Sequence, residues 1–148
     1  MNPVPPDKTG RLGVTLDISS LESAIGRLEE GLARYLKDVS DTQIRDGLIQ
    51  RFEFTYELSH KMLKRYLEAT SANPSEYDQM AFQDLIRTGN ERGLLLGDWP
   101  AWRKYRDMRN AVSHAYNEGK ALSLVAGVEP FLAEAKYLRE QLKRRGRE

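Results

Sequence analysis

The 148-residue chain has no cysteine and only two histidines. Without thiols it can form no disulfide, no thiolate nucleophile and no cysteine-ligated zinc or iron–sulfur centre, which agrees with a reducing compartment. Two imidazoles leave little material for a histidine-rich metal site, so neither a metal nor another cofactor is expected. No apolar run approaches the ~20 residues that a membrane helix needs, and no membrane contact is expected. A charge excess is missing as well: 23 basic residues stand against 22 acidic ones, for a formal charge of +1. Such a chain does not coat nucleic acid by bulk charge, and any contact with RNA has to come from a local patch. There is no alternating strand pattern and no internal repeat. The opening MNPVPPDKTG holds three of the six prolines and no apolar signal core. It reads as a flexible arm over residues 1–14, and a cytoplasmic protein is expected.

What is present is helical periodicity. Residues 15–148 suit one domain, and a chain of this length buries roughly 70% of its unfolded surface without a metal or disulfide staple. From Asp17 to Lys37, Ile18, Leu21, Ile25, Leu28, Leu32, Tyr35 and Leu36 share one broad stripe, with Asp17 or Ser19 as cap. A longer helix is expected from Thr42 to about Ala69, with Ile44, Leu48, Phe52, Thr55, Ser59, Met62 and Tyr66 on its apolar or small face. Glu57 and Lys61 stand four apart on it in the favourable order. Pro74 stops that helix. Residues 75–88 read as a shorter third helix capped by Ser75, and GNERGLLLGDWP as a glycine-rich connection. Asp98 then caps a fourth helix with Pro100 in its first turn. Asn117 and Gly119 break the chain before a last helix from about Lys120 to Arg144, which Pro130 kinks or splits. Four to five helices with short loops predict an all-α, antiparallel up-and-down bundle. Phe52, Phe54 and Tyr56 read as core or dimer-face aromatics, and His60 as a surface histidine. Trp99 and Trp102 read as loop pins, and the tail KRRGRE as a solvated end.

The fourth helix carries RNAVSHAYNE, residues 109–118. On a wheel at about 100° per residue, Ala101, Tyr105, Met108 and Val112 form the core side. Arg103, Arg106, Asn110 and His114 form a basic polar side, and Arg109 stands about 140° from His114. A charged face on a bundle helix is ordinarily just solvated. Here the basic residues cluster in a balanced chain, and asparagine and serine flank the histidine in mid-helix despite mediocre helix propensity. Arginine brings a permanent cation with a forked donor array suited to phosphate, and histidine can take up and return a proton. Together they suit phosphodiester cleavage in RNA. His114 activates a ribose 2′-hydroxyl or protonates the leaving oxygen, and Arg109 stabilises charge on the phosphorus oxygens. Arg103, Arg106 and Ser113 are the candidate RNA contacts, and Asn110 the polar helper.

The spacing R-x4-H, with asparagine directly after the arginine, resembles the signature of HEPN domains. These are small helical bundles, usually dimeric, and many of them are metal-independent ribonucleases. The run RNAVSHAY resembles the R-x4-H-x-Y pattern of HEPN proteins paired with a minimal nucleotidyltransferase. QRFEFTYELSHKMLKRYLE, residues 50–68, is similar to the second helix of the nucleotidyltransferase substrate-binding branch, and HAYNE at 114–118 fits that branch too. The resemblance covers about residues 15–142. It implies a homodimer with Arg109, Asn110 and His114 as the catalytic set, and Tyr116 as acceptor of an AMP transferred by the partner nucleotidyltransferase. The modification would silence the toxin of a toxin–antitoxin pair. It equally admits a non-catalytic subunit that presents substrate to the transferase.

Overall fold

The computed structural model describes residues 16–146. The arm expected over residues 1–14 lies outside the described residues, as do the tail's Arg147 and Glu148. Every regular element is a helix or a 3₁₀ turn, and no strand occurs among the described residues.

Helix α1 (Ser19–Lys37) starts two residues later than expected, because Asp17 stays outside and uses its carboxylate to accept the Ser19 amide at 2.9 Å. Leu21, Ile25, Leu28 and Tyr35 are buried as the stripe predicts, whereas Leu36 is 61% exposed. Helix α2 (Thr42–Ala69) has the expected bounds, and the Asp41 carboxylate accepts from the amides of Gln43 and Ile44. Its small polar residues let α1 come close. The Thr55 hydroxyl donates to the Arg51 carbonyl at 2.7 Å, and that of Ser59 to the Thr55 carbonyl at 2.7 Å, so both are buried without an unmet donor. The α1–α2 pair is the most extensive helix contact, and the last helix, Val128–Arg145, packs against both.

The third helix differs from expectation. Pro74–Tyr77 is a single 3₁₀ turn that buries Tyr77, and the chain then becomes extended at Ala81. Helix α3 follows only at Phe82–Glu91. Ser75 caps nothing; it sits inside the turn and donates to the Asn73 side chain. Gly93, at φ 76, takes the left-handed conformation that ends α3. The connection to the next helix is clamped by Glu134, far along the chain. Both oxygens of Glu134 accept amides, from Leu96 and Gly97, each at 2.7 Å.

Helix α4 (Trp99–Ala111) is capped by Asp98, which accepts the Trp99 amide at 2.7 Å. It stops at Ala111, and Val112–His114 form a 3₁₀ turn. Asn117 caps α5 (Glu118–Ala126), and α6 (Val128–Arg145) completes the fold. The expected last helix is therefore divided, at Gly127 rather than at Pro130. A Cβ on Gly127 would stand 2.5 Å from the Met108 sulfur, so α4 lies directly against the break. Pro130 falls in the first turn of α6, where its missing N–H costs nothing. Counted as one broken rod, α5 and α6 bring the bundle to five helices.

The aromatic centre lies where α2, α4 and α6 meet. Phe52 and Phe131 approach edge-on at 5.0 Å between ring centres, and Tyr105 stands 5.2 Å from Phe131. Trp102, expected to pin a loop, is fully buried here between Tyr56, Tyr105 and Phe131. Burial pushes the Tyr56 hydroxyl up to about 12. Phe54 points the other way and is 55% exposed, which separates it from Phe52 and Tyr56.

Candidate functional site

The segment from Arg109 to Glu118 is not one helix. Because α4 ends at Ala111 and the next three residues tighten into a 3₁₀ turn, the α-helical wheel does not apply beyond Ala111. The 140° separation of Arg109 and His114 is thus a number for a helix that the chain does not form. The turn is held along the chain by two weak closures, Ala115 N–H to the Val112 carbonyl at 3.2 Å and Asn117 N–H to the His114 carbonyl at 3.0 Å.

Arg109 faces α2. Its Nε donates to the Glu57 carboxylate at 2.6 Å, and its Nη1 stands 3.4 Å from Glu53. Both carboxylates raise the guanidinium's proton affinity further, the Glu57 hydrogen bond most of all. Burial works against ionisation of Glu57, but the Arg109 hydrogen bond and the contact with His60 outweigh it and hold the carboxyl below its usual value. His60 Nε2 lies 3.2 Å from Glu57, and its ring packs edge-on between Tyr56 and Phe82. It is half-buried, not the free surface histidine expected.

His114 and Tyr116 stand on the turn. Both are exposed, Tyr116 by 88%, and their ring centres are 6.4 Å apart. Asn110, Ser113 and Arg103 are exposed as well. Arg106 is half-buried, with its guanidinium 4.9 Å from the centre of the Trp99 ring. Within one chain the imidazole and the phenol are therefore together, while the polar partners of Arg109 are Glu53 and Glu57 of α2 and not His114. Among the described residues no group of three or more His, Asp or Glu side chains is placed to hold a metal ion. No helix there is long and apolar enough to cross a membrane.

Two sets of residues at this site escaped the sequence reading. Glu53 and Glu57 stand four apart in RFEFTYEL and converge on Arg109, whereas the sequence suggested a Glu57–Lys61 pair. Arg45, near the start of α2, reaches Glu118 at the first position of α5 with two parallel contacts of 2.7 and 3.0 Å. The i, i+4 spacing of the glutamates is visible in the sequence; their shared partner, 52 residues after Glu57, is not.

Set beside known proteins, residues 16–144 match the family described as nucleotidyltransferase substrate binding protein like. A relative from Haemophilus influenzae, named "Probable ribonuclease HepT", is 38% identical over 138 residues, covering 88% of this chain and 94% of the relative. A solved structure from the same organism, described as revealing the fold of a substrate binding domain of a nucleotidyltransferase, superposes with a TM-score of 0.80 at 35% identity. That similarity covers 86% of this chain and 99% of the other.

Proposed function

Because the chain belongs to the nucleotidyltransferase substrate binding protein-like family, we propose that it is the HEPN component of a toxin–antitoxin pair, a metal-independent endoribonuclease silenced by AMP transfer from its partner nucleotidyltransferase. The observation that carries this reading is the joint exposure of His114 and Tyr116 on one short turn. A general base and a group-transfer acceptor both have to reach a foreign molecule, and these two side chains do so with ring centres 6.4 Å apart.

In the cleavage step the ribose 2′-oxygen attacks the adjacent phosphorus as His114 takes its proton. The 5′-oxygen leaves with a proton, and a cyclic phosphate remains. Arg109 stabilises charge on the non-bridging oxygens, with Asn110 orienting and Arg103, Arg106 and Ser113 lining the RNA path. Arg109 of a single chain is engaged by Glu53 and Glu57 and not by His114, and the working unit is a homodimer in which one copy's arginine serves the other's histidine. In the silencing step the Tyr116 oxygen attacks the α-phosphate of ATP on the transferase and pyrophosphate leaves. The adenylate then puts negative charge and bulk where RNA phosphate should lie. The protein acts as one domain over residues 15–148, in the cytoplasm.

The test pairs two measurements. Purified protein cuts RNA in the presence of a chelator, and His114→Ala does not. Co-expression with the neighbouring transferase raises the intact mass by one AMP or a multiple of it, and Tyr116→Phe removes the increase. Undiminished cleavage by His114→Ala would end the nuclease reading.

A second reading has its own support. The Arg109 guanidinium is already engaged by two carboxylates, Glu53 and Glu57. A cation neutralised in this way serves a subunit that only presents substrate to the transferase. That protein leaves RNA intact yet co-purifies with its partner.

A further inference from the structure

Arg45 is 6% exposed, whereas the Glu118 side chain that it holds is 67% exposed. The contact is a fork, Nη1 to one carboxylate oxygen at 2.7 Å and Nη2 to the other at 3.0 Å. The third donor, Nε, is buried with no hydrogen-bond partner. Burying a guanidinium with one donor unmet is a poor way to gain stability, since an apolar side chain of similar volume there does as well or better. What the fork supplies is direction. Two parallel hydrogen bonds fix both the position and the rotation of the carboxylate.

The carboxylate so fixed is the first residue of α5, two residues after Tyr116 and four after His114. Beyond its own helical hydrogen bonds, the stretch between Val112 and Asn117 is closed by two local backbone contacts, and Val112 and Ala115 pack their side chains against the core. Where this turn stands is therefore set by that packing and by its two ends. The end toward α4 is tied to α2 through Arg109, and the end toward α5 is tied to α2 through Arg45.

We infer that Arg45 is a positioning residue: acting through Glu118, it sets the place of the 112–117 turn and so presents His114 and Tyr116. The functional half of this inference rests on the reading above; the structural half does not. The role asks for a fork as well as a charge, so lysine does not replace the arginine.

The test uses the full chain and its partner transferase with Arg45→Met, Arg45→Lys and Glu118→Gln, the last on the solvent side, where folding is not at risk. In Arg45→Met, amides of residues 113–120 exchange about tenfold faster while those of α1 and α6 keep their rates. Transfer of AMP to Tyr116 loses about tenfold in kcat at unchanged KM for ATP, and Arg45→Lys fails to restore it. Glu118→Gln shifts both readouts the same way by a smaller factor. Three results would overturn the inference: unchanged exchange in the turn, faster exchange spread evenly over the molecule, or full rescue by lysine. If the wild-type protein neither accepts AMP nor cuts RNA, the functional reading falls, and the exchange pattern alone decides whether Arg45 holds the turn.

Discussion

The two faces of α2 do opposite work. Its inner face gives Leu48, Phe52, Thr55, Ser59 and Met62 to a dry interior, where each apolar residue meets another and each hydroxyl finds a carbonyl. Three of its charged residues, the buried Arg45 and the half-buried Glu53 and Glu57, reach instead to the ends of the 109–118 segment. One region is held by area, which is forgiving in detail and additive over many contacts. The other is held by three ion pairs at defined distances, and the turn between them stays exposed. A fold that has to offer an imidazole and a phenol to other molecules cannot bury them, so it fixes their flanks instead.

The largest expected effect belongs to the inner face. Phe52→Ala leaves a cavity against Phe131 and Tyr56 and costs about 3–5 kcal/mol in denaturant unfolding. A loss below about 1 kcal/mol would mean that the centre can collapse onto the gap, contrary to native packing density. Next is Glu134, whose buried carboxyl holds the Leu96–Gly97 loop. It is 1% exposed, and burial holds its carboxyl above the usual value against the pull of the Leu96 and Gly97 amides. Glu134→Ala strands both N–H groups and costs about 2–4 kcal/mol, while Glu134→Gln recovers only part because its NH₂ meets one of the two amides. His114→Ala then separates the regions most cleanly. Cleavage of RNA falls about 100-fold or more, while unfolding free energy moves by less than about 0.5 kcal/mol, as expected of an exposed side chain. A His114→Ala protein that is markedly less stable would show the turn to be part of the packed body.

The same division decides what could be read from the sequence. Apolar spacing located α2 to the residue and most of the buried side of α1, because burial follows a period that is written in the chain. Asp98 marked the start of α4 through a local hydrogen bond, which is also written there. The reading failed where the deciding partner is distant. Nothing near Ala111 says that α4 must end there, and the break at Gly127 is explained by Met108, nineteen residues earlier. The 75–88 helix failed for a related reason: Tyr77 is drawn into the core, and a 3₁₀ turn puts it there where a continuous helix does not. At the site, His114 and Tyr116 were legible as a motif. The anchors Arg45, Glu53 and Glu57 were not, since an ion pair between residues 52 or 73 positions apart leaves no trace in local pattern.

The smallest effect bears on the Arg109–Glu57 pair and also divides the two functional readings. Glu57 has its carboxyl lowered in the folded protein, so the folded state binds that proton less readily than the unfolded chain does. Its contribution to stability is therefore complete above the ordinary carboxylate range and is lost as pH falls through the lowered value. Wild type and Glu57→Gln should differ by less than about 1 kcal/mol at neutral pH, because the pair is half exposed and solvent screens it. Their unfolding curves should converge as acid protonates Glu57. The same substitution releases Arg109 from its tighter partner and leaves only the longer contact with Glu53. If Arg109 serves RNA phosphate, Glu57→Gln binds RNA a few-fold more tightly at low salt, with the salt dependence steepened by about one phosphate contact. If the protein only presents substrate to a transferase, RNA affinity does not move, and the carboxylates around Arg109 are part of the scaffold.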